Sequence, residues 1–97
     1  MNIEYEFPVL QESIDAGVCG NPDKCAIALA GRVYLDCLVQ VNDGLILIDG
    51  VRHYMTEYLH NWVRDFDDDK TDVEPIRVIL FMQDNILWAD RVEGNED

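Results

Sequence analysis

Two cysteines and two histidines are the first candidates for chemistry, and their spacing is wrong for it. Cys19 and Cys25 stand six residues apart, His53 and His60 seven. Structural zinc is held by Cys or His pairs roughly two to four residues apart. Pro22 also interrupts the cysteine pair, so no metal site is expected. A thiolate nucleophile needs a base and an orienting group beside it. Cys25 falls near a helix start, where the dipole lowers a thiol pKa, and His53 or His60 would be the base. Asp23 opposes a thiolate there, so Cys25 reads as a core contact and no catalytic residue is expected. The run Asp67, Asp68 and Asp69, with Asp72 and Glu74, offers hard oxygen ligands. It lacks the central glycine and terminal glutamate of an EF-hand loop and reads as a solvated surface. Gly20, Asn21 and Lys24 precede a run of small residues, and a helix start of this kind can hold an anion. No cofactor signature accompanies any of these groups.

Charge narrows the partners. Twenty acidic residues face seven basic ones over 97 residues, a formal net charge of −13. Phosphate contacts need clustered Lys and Arg, and here Lys24, Arg32, Arg52, Arg64, Lys70, Arg77 and Arg91 are scattered singly. Direct binding of nucleic acid or of an anionic membrane is therefore not expected. No apolar run approaches the roughly 20 residues needed to cross a bilayer. The start Met1-Asn2-Ile3-Glu4 lacks a basic, apolar leader. Three cysteines, an odd number, then read as reduced thiols of a cytoplasm.

The elements that position these groups follow from periodicity. Ile3, Tyr5, Phe7 and Val9 alternate with Glu4, Glu6 and Pro8, a half-buried strand with an edge-type proline. A helical turn over Glu12–Ala16 ends at Gly17, expected in the left-handed region. Asn21 as cap, Pro22 as first residue and Asp23 in the first turn predict a helix stopping at Gly31. Residues 33–41 alternate as a strand, turned at Asn42-Asp43-Gly44 into Leu45–Ile48 and at Asp49-Gly50 into Val51–Tyr54. Thr56 caps an amphipathic helix over 56–66 with Leu59, Trp62, Val63 and Phe66 on one stripe. An acidic loop leads to Pro75, then to a central strand over 76–82 and a short return at 86–88. The expectation is one α+β domain over residues 1–92, a small antiparallel sheet of four to five strands packed by two helices. Residues 93–97 read as a flexible acidic tail.

One resemblance is carried by Ile14-x-x-Gly17, by Pro22-Asp23-Lys24-Cys25-Ala26-Ile27-Ala28-Leu29-Ala30, by Phe66-Asp67 and by Val73-Glu74-Pro75-Ile76. In this order they resemble a group of small uncharacterised bacteriophage proteins with an I-x-x-G turn and a helix opening C-P-I-A-L-A. The chain departs from that pattern at Ala26, where proline is usual, and in its longer acidic loop and C-terminus. The resemblance implies a viral accessory protein acting in the cytoplasm of an infected bacterium, and no activity that transfers residue by residue.

Binding is therefore expected rather than catalysis. Tyr54, Tyr58, Trp62 and Trp88 exceed what one small core must bury, and exposed aromatics anchor interfaces. The expected partner is a host protein with a basic surface, bound through Asp65, Asp67, Asp68, Asp69 and Asp72 with Tyr58 and Trp88. A DNA mimic is a special case that requires the carboxylates to form one band. The competing expectation is a module sequestering a small anion, such as a nucleotide, at Gly20, Asn21 and Lys24. A strand at 2–10 or 76–82 would offer an edge to a partner strand or to a second copy.

Overall fold

Thr56 opens the longest helix in the computed structural model, which describes residues 2–93. Its hydroxyl accepts from the Leu59 amide at 3.3 Å and so satisfies one of the orphan donors of a helix start. The helix, Glu57–Asp68, buries Leu59, Trp62, Val63 and Phe66 as the periodicity predicts. It is α3. Before it come α1, Gln11–Ala16, and α2, Ala26–Leu35. A single 3-10 turn, Lys70–Asp72, follows it.

Six strands make one sheet: β1 (Asn2–Val9), β2 (Val39–Asn42), β3 (Leu45–Ile48), β4 (Val51–Met55), β5 (Ile76–Gln83) and β6 (Ile86–Glu93). Their order is β1-β5-β6-β4-β3-β2. The fold class is α+β, but the sheet is mixed. β4 and β6 run parallel, pairing Tyr54 with Trp88 and Met55 with Ala89, while the other neighbours are antiparallel. The expected all-antiparallel sheet of four to five strands with two helices is thus corrected to six strands and three α-helices among the described residues. β5 makes the difference, because it carries the chain back so that β6, set between β5 and β4, runs parallel to β4. β5 lies inside the sheet, so of the two strands expected as an open edge only β1 is one.

The helices lie on one face. Phe7 and Val9 of β1, Val78 and Leu80 of β5, Ile46 of β3 and Val39 of β2 meet Ile14, Ile27, Leu59 and Phe66 from the helices in one core. Each such side chain, fully buried, contributes about 1.5–3 kcal/mol. The opposite face has no helix on it, and Ile79, Phe81, Trp88 and Tyr54 lie there by strand alternation.

Several expected boundaries move. α2 does not start at Asn21 and Pro22, because residues 22–25 form a turn and Cys25 is the N-cap. It does not stop at Gly31 either. It continues through Leu35 and ends on Asp36, which takes the left-handed conformation at φ 54°. The strand expected over 33–41 is therefore only β2. Gly31 serves close approach, since a Cβ there would lie 3.1 Å from both methyls of Val39. Gly17 is likewise not left-handed (φ −69°). A Cβ on it would sit 2.8 Å from the Ala26 nitrogen and from the Phe66 ring. β6 runs to Glu93, well past the expected 86–88. The remainder of the expected tail, 94–97, lies outside the described residues.

Candidate functional site

α3 places polar groups on two flanks at helical spacing. His60, Arg64 and Asp67 recur at i, i+4 and i+7 on one flank, and Tyr58, Trp62 and Asp65 on the other. Each flank borders a cavity.

The first cavity, of about 210 Å³, is walled by the 20–25 turn, by the β2–β3 turn and by α3. Val41, Val63 and Cys25 form its apolar part, and Asp43, His60, Arg64 and Asp67 its polar part. Asp67 accepts from the Gly20 amide at 2.8 Å. His60 Nε2 lies 3.2 Å from an Asp43 carboxylate oxygen. Arg64 is exposed and has no ion pair among the described residues. Of the residues expected to hold an anion, Gly20 and Asn21 line this cavity and Lys24 does not. Asp67 already occupies the Gly20 amide, so the chain's own carboxylate stands where a bound anion would.

Cys25 sits at the base of this flank. Burial pushes its thiol up to about 11, outweighing the pull of the Ala28 and Ile27 amides. A helix start lowers a thiol pKa only where water or a cation also reaches the sulfur. Cys19 is exposed, and its thiol donates to the Phe66 carbonyl at 3.0 Å. Burial, then Asp49 and Asp36, raise the Cys37 thiol. Among the described residues no group of three or more His, Cys, Asp and Glu side chains converges as a metal requires.

The second cavity, of about 190 Å³, lies between α3, the 3-10 turn and β6. Asp65, Asp72, Glu74 and Arg91 line it, with Trp62, Val73 and Ile76 beneath. The Arg91 guanidinium lies 3.9 Å above the Tyr58 ring, a cation–π contact. Its buried Nε has no hydrogen-bond partner among the described residues.

The expected aromatic patch divides. Trp62 belongs to the core, stacked on Phe66 at 5.7 Å and donating to the Glu74 carbonyl. Tyr58 stays on the helix side beneath Arg91. Tyr54 and Trp88 face the opposite side of the sheet, 6.3 Å apart. Of the residues expected to bind a partner, Asp65, Asp72 and Tyr58 are thus gathered around Arg91. Asp67 belongs to the other flank, and Trp88 lies across the sheet from all of them.

The six carboxylates of residues 65–74 share one property. All are exposed, and none takes part in an ion pair among the described residues. Asp69 is used locally: it accepts from the Thr71 hydroxyl and amide, and these bonds hold its carboxyl below its ordinary pKa. Lys70, the one cation inside the run, is turned away and donates to the carbonyls of Asp15 and Gly17 at 2.7 and 3.1 Å. Those are the last carbonyls of α1, where a cation is favourable. The i, i+4 flank pattern of α3 was readable in the sequence. The approach of Asp43 and Gly20 to it carries no local signal.

No protein-family model matches the chain, and neither a curated protein nor a solved structure resembles it closely enough to count as a match. No helix among the described residues is long and apolar enough to cross a membrane.

Proposed function

We propose that this chain is an interaction protein that occupies a basic surface of another protein through the acidic end of α3 and the segment after it. The observation that carries this reading is the placement of Asp65, Asp67 and Asp68 in the last turn of α3, with no basic residue there. A carboxylate at a helix C-terminus opposes the dipole and costs about 0.3–1 kcal/mol. Among the described residues no ion pair offsets that cost; Asp67 serves the fold through the Gly20 amide, and Asp65 and Asp68 are kept for something outside it. Arg91 on Tyr58 and the second cavity beside them give the acidic surface a rigid, partly apolar floor, as interface anchors require. The raised Cys25 thiol pKa argues against a thiolate nucleophile at that residue. On the resemblance to small bacteriophage accessory proteins, the partner is a host protein in the bacterial cytoplasm that the chain modulates or inhibits.

The test is capture from bacterial lysate at low and high salt, with the chain and its Asp65→Lys/Asp68→Lys variant compared by mass spectrometry. Among the described residues these two carboxylates make no hydrogen bond, unlike Asp67 and Asp69. The expected result is a basic protein retained at low salt, released at high salt and lost with the variant. Retention indifferent to charge reversal overturns the reading.

The first cavity supports a second reading, a pocket for a small ligand, with Arg64 in place of Lys24 as its cation. Thermal unfolding against a panel of nucleotides tests it. A midpoint raised in the native chain and unmoved in Arg64→Ala is expected, and no shift with any nucleotide rejects it.

A further inference from the structure

The two outer strands of the sheet are finished differently. At β2 the chain closes its own edge. The Val41 amide donates to the Pro22 carbonyl at 2.9 Å, and the Val39 carbonyl accepts from Arg32 Nε at 3.2 Å. Arg32 is held in turn by Asp23 at 3.3 Å, and Asp23 also accepts from Gln40. A foreign strand is thereby denied the Val41 amide and the Val39 carbonyl.

At β1 nothing comparable occurs. Among the described residues its backbone has no partner other than β5. It is eight residues long. The register slips between Ile3 and Tyr5 and is regular from Tyr5 to Val9. Pro8 has no amide hydrogen and belongs to the outward-facing set of an edge strand. Alternation puts Glu6 in the same set. Glu4, Tyr5 and Glu6 are all exposed, Tyr5 at 59%, and the Glu6 carboxylate accepts from the Arg77 guanidinium of β5. An unpaired strand edge is a template for another strand unless something covers it.

We propose that β1 receives an extended basic segment of the partner as one further strand of the sheet, with Lys or Arg beside Glu4 and an apolar side chain against the Tyr5 ring. This deepens the proposed function and rests on it, because the basic partner is common to both. Charge decides between a basic segment and a second copy. Two chains of formal charge −13 repel. An antiparallel pairing of two β1 strands centred on Tyr5 or on Glu6 also sets Glu6 against Glu4 or against itself, and like charges directly opposite destabilise a sheet. A basic strand turns both liabilities into attractions.

The experiment follows backbone amide shifts and hydrogen exchange of the full chain on adding a short peptide of alternating Lys and Val. A second peptide of the same sequence, N-methylated on alternate backbone nitrogens, keeps the charge and cannot form a ladder. The proposal expects shifts and protection over residues 4–9, and binding at least about tenfold weaker for the methylated peptide. It also expects Glu4→Lys, at an exposed position, to weaken the first peptide while the chain stays folded. Equal affinity for the two peptides overturns it, as does a dimer through β1 in sedimentation. Shifts confined to residues 65–74 overturn the strand edge and leave the acidic surface standing. Shifts nowhere overturn both.

Discussion

At the N-terminus of α3, Thr56 caps the Leu59 amide, its hydroxyl donates to Asp90 at 2.6 Å, and Glu57 lies in the first turn where the dipole favours it. At the C-terminus, twelve residues on, Asp65, Asp67 and Asp68 stand against the dipole with no cation in the last turn. One end follows every rule that stabilises a helix, and the other breaks the electrostatic rule three times. Between them, Leu59, Trp62, Val63 and Phe66 hold the helix to the sheet. The core stripe can carry this burden because burial of several large side chains outweighs a few adverse surface charges. The difference separates what folds the helix from what the helix is for.

The stripe should give the largest effect. Phe66→Ala removes a buried ring stacked on Trp62 and should cost about 3–5 kcal/mol in urea unfolding. A cost as small as a surface change would mean that the ends hold α3, not its middle.

A second helix start sharpens the contrast, because at Cys25 burial defeats the dipole. The folded thiol titrates near 11 against an ordinary 9.0. The raised value means that its stabilisation is complete below about pH 9 and is lost as pH rises through 11. Unfolding free energy should fall by up to about 2–3 kcal/mol across that window, and Cys25→Ala should flatten the fall. At neutral pH an alkylating reagent should modify Cys19 long before Cys25. Equal rates would mean that the Cys25 sulfur is reached by water.

The favourable end should show the next effect. Thr56→Ala loses the cap and leaves Asp90 with the Arg91 amide but not the Thr56 hydroxyl, a cost of about 1–2 kcal/mol by thermal or urea unfolding. Thr56→Ser should recover most of it. If Ser does not recover it, the methyl of Thr56 and not its oxygen matters.

How far these features could be read from the chain depends on how local they are. The Thr56 cap, the α3 stripe and the turn at Asp49-Gly50 were legible because each is written within a few residues. Asp49 and Gly50 both take positive φ, 51° and 82°, as a type I′ hairpin requires. The stretch 33–41 was misread because Val33, Leu35 and Cys37 alternate like a strand, while the glycine before them looks like a stop. Gly31 instead lets Val39 pack against the helix, a tertiary reason invisible locally. The parallel pairing of Tyr54 with Trp88 joins residues 34 apart in sequence and had no local signal. The acidic run was legible as a run. That Lys70 turns to α1 and leaves the carboxylates without ion pairs was not.

The most direct measurement is the stability and the partner capture of Asp65→Lys/Asp68→Lys, read on the same preparation. Relief of the dipole should stabilise the variant by about 0.3–1 kcal/mol per position, while salt-sensitive capture of a basic protein is lost. A variant that is less stable than the native chain, yet still captures the same protein, would mean that these carboxylates serve the fold, and would contradict the account.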